Sequence, residues 1–343
     1  MTDINENTGL AEGTFGLAQL ADQNRKFHAI VRPDGSVIDI SGTFANSQEL
    51  YTDWDRTFDK LVKINAKAEV LAGTFDDFRP LPPTEFPQIF GAGSNYRQHA
   101  AEMYTHSGGY ESFREEGESD DSFFARNMDF VERRRATGMP FFWMATHGSL
   151  AGANDDIVLP PVGEKHDWEG ELCAVLAGGS PRFMDPTEAA DYIAGYTMVN
   201  DMHTLDYFNR SDILWNNDWI IKQQPGFKLV GPFVVPRQFA EILGNLQIRL
   251  WVNDEIKQDW PTSDMIFSPA EFIAYASERV KILAGDLLMT GSPPGNGGVH
   301  GRYLHPGDRV ELRLNGLGVQ RNRVVAEEIS DGRKPYYGIP STD

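Results

Sequence analysis

The chain has 343 residues, 41% of them hydrophobic, which is enough for one large domain with a sizeable core and a small one beside it. Its 31 Lys and Arg against 50 Asp and Glu leave a net charge of −19, which excludes a nucleic-acid surface and an anionic membrane as partners. One cysteine, Cys173, excludes a disulfide framework and a cysteine-rich zinc module.

No basic-then-apolar segment opens the chain, and no run of about eighteen apolar residues occurs, so a soluble, cytoplasmic protein is expected. Residues 1 to 24 are small and polar, and the first ten or so are expected to be disordered. Lys26 to Arg32 alternates as a strand, Pro33-Asp34-Gly35 turns, and Ser36 to Ile40 returns, which makes a hairpin. Leu50, Trp54, Phe58, Leu61 and Ile64 follow a helical period within Ser47 to Val70. Residues 1–84 therefore read as a small α+β N-terminal domain, left through the prolines at 80, 82, 83 and 87.

Residues 85–343 read as a second, mostly-β domain. Gln88 to Gly93 is a short strand ending in glycines, and Asn95 to Met103 begins a helix. The G-x-G there is not a dinucleotide fingerprint, because the third Gly and the matching βαβ unit are absent. His99 and Glu102 lie three apart on that helix, so they share a face. A carboxylate that orients an imidazole suits a general base, and an exposed helical pair of no catalytic consequence is the competing reading. Residues 104–137, polar and mixed in charge, read as a surface insertion or lid.

Short strands follow, at Phe141 to Ala145, Asp156 to Leu159, Leu172 to Ala177, Tyr192 to Val199, Phe227 to Val235, Leu246 to Val252, Leu287 to Thr290 and Val310 to Leu314, with a hairpin turn at Val252 to Ile256. Helical spacing appears at Pro186 to Ala190, Asp201 to Phe208 and Pro269 to Val280. Within this region, Glu169 and Glu171 flank Gly170 and point to one side of a strand, and Asp201 ends the strand after Gly195. Three converging carboxylates repel one another and resist ionising unless a cation lies among them. All-oxygen ligands favour a hard ion, Mg²⁺ ahead of Mn²⁺ or Ca²⁺; a solvated acidic face is the plainer alternative. Lys222 follows Trp219-Ile220-Ile221 and could stabilise an oxyanion, or be a surface lysine. Thr290-Gly-Ser-Pro-Pro-Gly295 could cradle a carboxylate, or simply turn.

The order of these pieces is more specific than any one of them. Gly93-Ser-Asn-Tyr-Arg-Gln-His99-Ala-Ala-Glu102, Asp167-Trp-Glu169-Gly-Glu171-Leu, Gly195-Tyr-Thr-Met-Val-Asn-Asp201, Lys222 through Gly231-Pro232, Thr290 through Gly295, and Leu304-His-Pro-Gly-Asp308 together resemble the fumarylacetoacetate hydrolase family over residues 85 to 325. The resemblance implies an α+β, mostly β fold: a mixed β-roll catalytic domain, commonly dimeric. It also implies Mg²⁺ or Mn²⁺ on Glu169, Glu171 and Asp201, a His99–Glu102 dyad activating water, Lys222 near the metal, and Ser94, Tyr96, Leu205, Phe208 and Thr290 facing the substrate.

The expected activity is hydrolysis of a C–C bond in a 1,3-dicarbonyl, acylpyruvate-like compound from aromatic or cyclic-compound catabolism. The alternatives are a 2-oxo acid decarboxylase, enol–keto isomerase or lyase on the same scaffold, and a noncatalytic metal- or oxo-acid-binding protein. Two departures bear on substrate. Leu205 and Phe208 stand where many members carry an Arg and a Gln that hold an acidic arm, so an apolar or aromatic arm is expected. Gln223-Gln224-Pro225 replaces the usual Ser-Phe-Asp after the lysine.

Overall fold

The computed structural model describes residues 3–68, 71–106, 113–208, 212 and 218–337. The expected hairpin forms from Lys26–Val31 and Ser36–Asp39, which sit in a five-stranded sheet ordered Gly73–Thr74, Ser36–Asp39, Lys26–Val31, Gly16–Ala21, Arg79–Leu81. The expected helix is two, Ser47–Thr52 (α1) and Trp54–Lys67 (α2), broken at Asp53; Asn46 caps the first by accepting from Glu49 N.

A mixed eight-stranded sheet forms the centre. Its order is Phe142–Ala145, Ile89–Ala92, Leu287–Met289, Gly170–Leu176, Ile193–Asp201, Lys228–Val230, Leu150–Gly152, with Val235–Pro236 added beside Ile193–Asp201. A second five-stranded sheet runs Glu255–Pro261, Gln247–Val252, Arg309–Leu314, Gly318–Ala326, Ile157–Leu159. The architecture is the α+β, mostly β arrangement expected. Two hydrophobic clusters cross from the amino-terminal sheet into the rest: Leu20, Phe27 and Val31 pack in one with Leu250 and Leu312, and Phe15, Tyr51 and Trp54 in the other with Cys173, Val175 and Leu287.

Four expectations need correction. The amino-terminal residues are ordered from residue 3: Leu10 is fully buried and bridges to Gly316 and Leu317, and Thr8 Oγ1 donates to Pro33 O at 2.8 Å. Gly16–Ala21 is an interior strand of its sheet, although Gly, Ala and Gln carry little strand preference, because its neighbours on both sides supply the pairing.

The stretch 104–137 is not a loop. Its residues 107–112 lie outside the described residues, but Arg97–His106 (α3) runs into it and Asp120–Thr137 (α4) fills its second half. Ser119 caps α4, Asp120 and Asp121 complement its positive end, and only Phe123 and Val131 are buried, a stripe too narrow to show as periodicity. Finally, after Asp201 comes the short strand His203–Thr204 and a 3₁₀ turn, Leu205–Tyr207, rather than a helix.

Candidate metal centre and active site

The site is built where the two central strands Gly170–Leu176 and Ile193–Asp201 run antiparallel, with Glu171 opposite Val199 and Asp201 N donating to Glu169 O at 2.8 Å. That register brings Glu169, Glu171 and Asp201 together: one carboxylate oxygen from each lies within 4.8 Å of the other two. Gly170 between the glutamates has to be small, since a Cβ there would meet the Leu312 side chain at 2.6 Å. Its amide donates to Gln258 Oε1 at 2.9 Å, and Gln258 in turn donates to Ser292 Oγ and to Asn296 Oδ1. Asn296 Nδ2 donates to Glu169 Oε1 at 3.0 Å, and Gly291 N donates to Glu171 Oε2 at 2.8 Å. The loop that carries Thr290 thus fixes both glutamates.

Two lysines face the cluster. Lys222 Nζ donates to Glu169 Oε2 and, at 2.7 Å, to Asp201 Oδ2. Lys228 Nζ, fully buried, lies 2.7 Å from Asp201 Oδ1 and donates to Lys222 O at 2.5 Å. Burial raises the Asp201 carboxyl, yet the two ammonium groups outweigh it and hold the group below its ordinary value. Glu169 has the opposite balance: burial, opposed by Lys222 and helped by Asp201, pushes it up to about 7. Burial and the charges of Asp201 and Glu169 push Glu171 well above the usual carboxylate range. Burial pushes Lys222 down, but the three carboxylates more than restore it, so it is a permanent cation.

This donor set fits a divalent ion. Three carboxylate oxygens converge, two of them on groups that burial and the neighbouring acids make reluctant to ionise, and among the described residues no cysteine or histidine joins the three.

The remaining expected residues divide. His99 on α3 is buried, and burial with the Lys222 charge behind it lowers its imidazole to about 4, so it is neutral at physiological pH. The expected bond to Glu102 is not formed. Glu102 Oε1 instead accepts from Gln98 Nε2 at 2.8 Å, and His99 Nδ1 and Glu102 Oε2 are buried without a partner among the described residues. Ser94 sits in the left-handed region at φ 49°, where Arg134 of α4 donates to its carbonyl at 2.5 Å.

Tyr96 is fully buried beside Thr290 and the Glu171 charge. Thr290 Oγ1 donates to Leu172 O at 2.9 Å. Leu205 leans toward Gly298, whereas Phe208 places its ring edge-on to Trp219 at 5.4 Å.

Sequence reasoning missed Lys228, Gln258, Asn296, Trp143 and Trp219. Trp143 could have been found through the glycines of the G-x-G. Gly91 pairs with Trp143 across the sheet, and a Cβ on it would lie 2.4 Å from that ring; one on Gly93 would lie 2.5 Å from Phe141. The glycines make room for aromatic rings.

A mixed-sheet α+β scaffold burying two glutamates, one aspartate and an ammonium defines a class of protein fit to hold a divalent cation and an oxygen-rich small molecule. The chain belongs to the fumarylacetoacetate hydrolase family: the family model described as fumarylacetoacetate (FAA) hydrolase C-terminal matches residues 88–325. Members of this family are enzymes. The chain is 36% identical over 190 residues to the 2,4-didehydro-3-deoxy-L-rhamnonate hydrolase of Sphingomonas sp. (strain SKA58), a match covering 54% of this chain and 65% of that protein. It is 33% identical over 189 residues to the mitochondrial oxaloacetate tautomerase FAHD2B of Homo sapiens, covering 54% and 59%. The matches thus span less than two thirds of either relative. The crystal structure of maleylpyruvate hydrolase from Sphingobium sp. SYK-6, in complex with manganese(II) and pyruvate, shares the fold at a TM-score of 0.68 and 21% identity, covering 91% of this chain and 100% of that one.

Proposed function

We propose that the protein hydrolyses a C–C bond in a 1,3-dicarbonyl, acylpyruvate-like compound with an apolar or aromatic acyl arm. The observation that carries this is the convergence of Glu169, Glu171 and Asp201 on Lys222, with His99 buried and close enough to feel the Lys222 charge. Glu169, Glu171 and Asp201 would hold Mg²⁺, with Mn²⁺ as the substitute. The ion would supply Lewis acidity and charge neutralisation to a chelating oxo acid.

The chain's own groups do the rest. His99 Nδ1, without a protein partner among the described residues, is available to accept a proton from water as that water adds to the distal carbonyl. Lys222 supplies a fixed positive charge for the oxyanion that results. The bond to the methylene carbon then breaks, its electron pair leaves as an enolate, and a proton returned to carbon completes the products, a carboxylate and a 2-oxo acid. We place the protein in the catabolism of aromatic or cyclic compounds, as a cytoplasmic homodimer. No helix among the described residues is long and apolar enough to cross a membrane.

The test is turnover of acylpyruvates in ¹⁸O-labelled water with Mg²⁺ or Mn²⁺. Label in the new carboxylate is expected. A second reading, enol–keto isomerase or decarboxylase, is favoured by the open His99–Glu102 pair, which does not position water as a closed dyad would. In that case solvent hydrogen enters carbon and no oxygen label appears in a new acid.

A further inference from the structure

Four aromatic rings lead from the buried lysine to the surface, and nothing in the chemistry above uses them. Trp143 lies on the strand paired with the glycine strand Ile89–Ala92, and its ring centroid is 5.4 Å from Lys222 Nζ. Trp219, three residues before that lysine, stacks on Trp143 at 5.2 Å with 12° between planes. Phe208 meets Trp219 edge-on at 5.4 Å, and Phe141 lies 6.1 Å from it on the outer side. Trp143 is 7% exposed and Phe141 48%, so the stack begins beside the charged centre and ends in solvent.

The outermost ring, Phe141, is half uncovered, while the innermost, Trp143, lies against an ammonium that itself bonds two of the acids. Among the described residues along this line, the one amide beside Trp219, that of Gln223, is already engaged, donating to Trp219 O and Met144 O and accepting from Thr146 N. Phe208 and Trp219 present faces and edges instead of a guanidinium or an amide.

We infer that this stack is the specificity wall for the substrate arm, and that the arm it selects ends in a flat aryl ring: the substrate class is an aryl-substituted 2-oxo acid. The inference rests on the function proposed above, since the oxo-acid end must be held at the acidic cluster for the ring to reach the wall. Trp219 and Phe141 make the contact, and Trp143 sets the tilt of Trp219 while shielding Lys222 from water.

The experiment is calorimetric binding of pyruvate and of phenylpyruvate to the full chain in Mn²⁺, for the parent protein and for Trp219→Ala and Phe141→Ala. Stacking of one ring is worth about a tenfold gain in affinity. The parent is expected to bind phenylpyruvate at least tenfold more tightly than pyruvate, and each variant to lower that ratio to about threefold or less. Phe141, half exposed, can be truncated without emptying the core, so it keeps the test open should the Trp219 variant misfold. Equal affinities in the parent, or a ratio preserved in both variants, overturn the wall and leave the proposed function standing. If neither acid binds in the presence of the metal, both fail together.

Discussion

Lys222 and Lys228 share Asp201, but burial is offset differently for the two. Three carboxylates hold Lys222 above its ordinary value, whereas burial wins over the help from Asp201 and lowers Lys228. Lys228→Met removes one partner of a buried pair. It should cost about 3 kcal/mol in the metal-free protein, part of it recovered on adding Mn²⁺. Urea unfolding with and without the ion checks this, and unchanged stability in both would contradict it.

His99 gives a pH prediction. Its folded value of about 4 lies below the 6.5 of a free imidazole, so between these the unfolded chain binds a proton that the folded one does not. The stabilisation is complete above pH 6.5 and lost as pH falls toward 4, about 3 kcal/mol in all. Glu169 and Glu171, raised on folding, work in the opposite sense, so the quantity to measure is the difference between the parent and His99→Gln. The parent should lose stability faster over that window. The same substitution should lower kcat by a factor of about 10² to 10⁴ while calorimetric metal affinity stays within about twofold; undiminished turnover would remove His99 as the base. The acids and Lys222 are legible in the sequence because strand period and apolar flanks point to them. Lys228 is not, because Phe227-Lys228-Leu229-Val230 looks like an ordinary strand with one solvated side chain, and only the register with Asp201 reveals the pair.

Elements meet at Gln258. It belongs to Glu255–Pro261 of the second sheet, yet it bonds the Gly170 amide of the central sheet and the loop that holds Glu169. It is therefore a bolt between layers that, through Asn296, also helps to hold the Glu169 carboxylate. Gln258→Ala should weaken Mn²⁺ binding by a factor of about 10 to 100, the usual loss when support behind a metal ligand is removed. A calorimetric constant within about twofold of the parent would show that Asn296 and the strand pairing suffice. At this scale the hairpin at 26–39, the helix Pro269–Ser277 and most central strands are readable from alternation and turn residues. Small side chains hide Gly16–Ala21, since Ala18, Gln19 and Ala21 give no alternating apolar signal. Gly318–Ala326 is hidden by Arg321 and Arg323, which alternate with buried neighbours on a strand that two partners hold in place.

At the scale of the whole molecule, the change of sheet near residue 84 is not expected to be a boundary of stability. Both large clusters draw residues from either side of it. Heat or urea should unfold the chain in one transition, with aromatic and backbone signals coincident, and a fragment lacking residues 1–84 should fail to fold. Two separated transitions would show the lead-in to be autonomous. Setting 1–84 apart follows from local pattern, and local pattern carries no record of long-range partners. Those partners have a consequence for biosynthesis. Leu17 pairs with Val234, and Leu10 with Gly316 and Leu317. At ribosomal speeds of about 5–20 residues per second, Leu10 waits on the order of 15 to 60 s for the last of them to be made. Until then the apolar side chain of Leu10, fully buried in the finished fold, has no place to pack, and that interval is the one most open to aggregation.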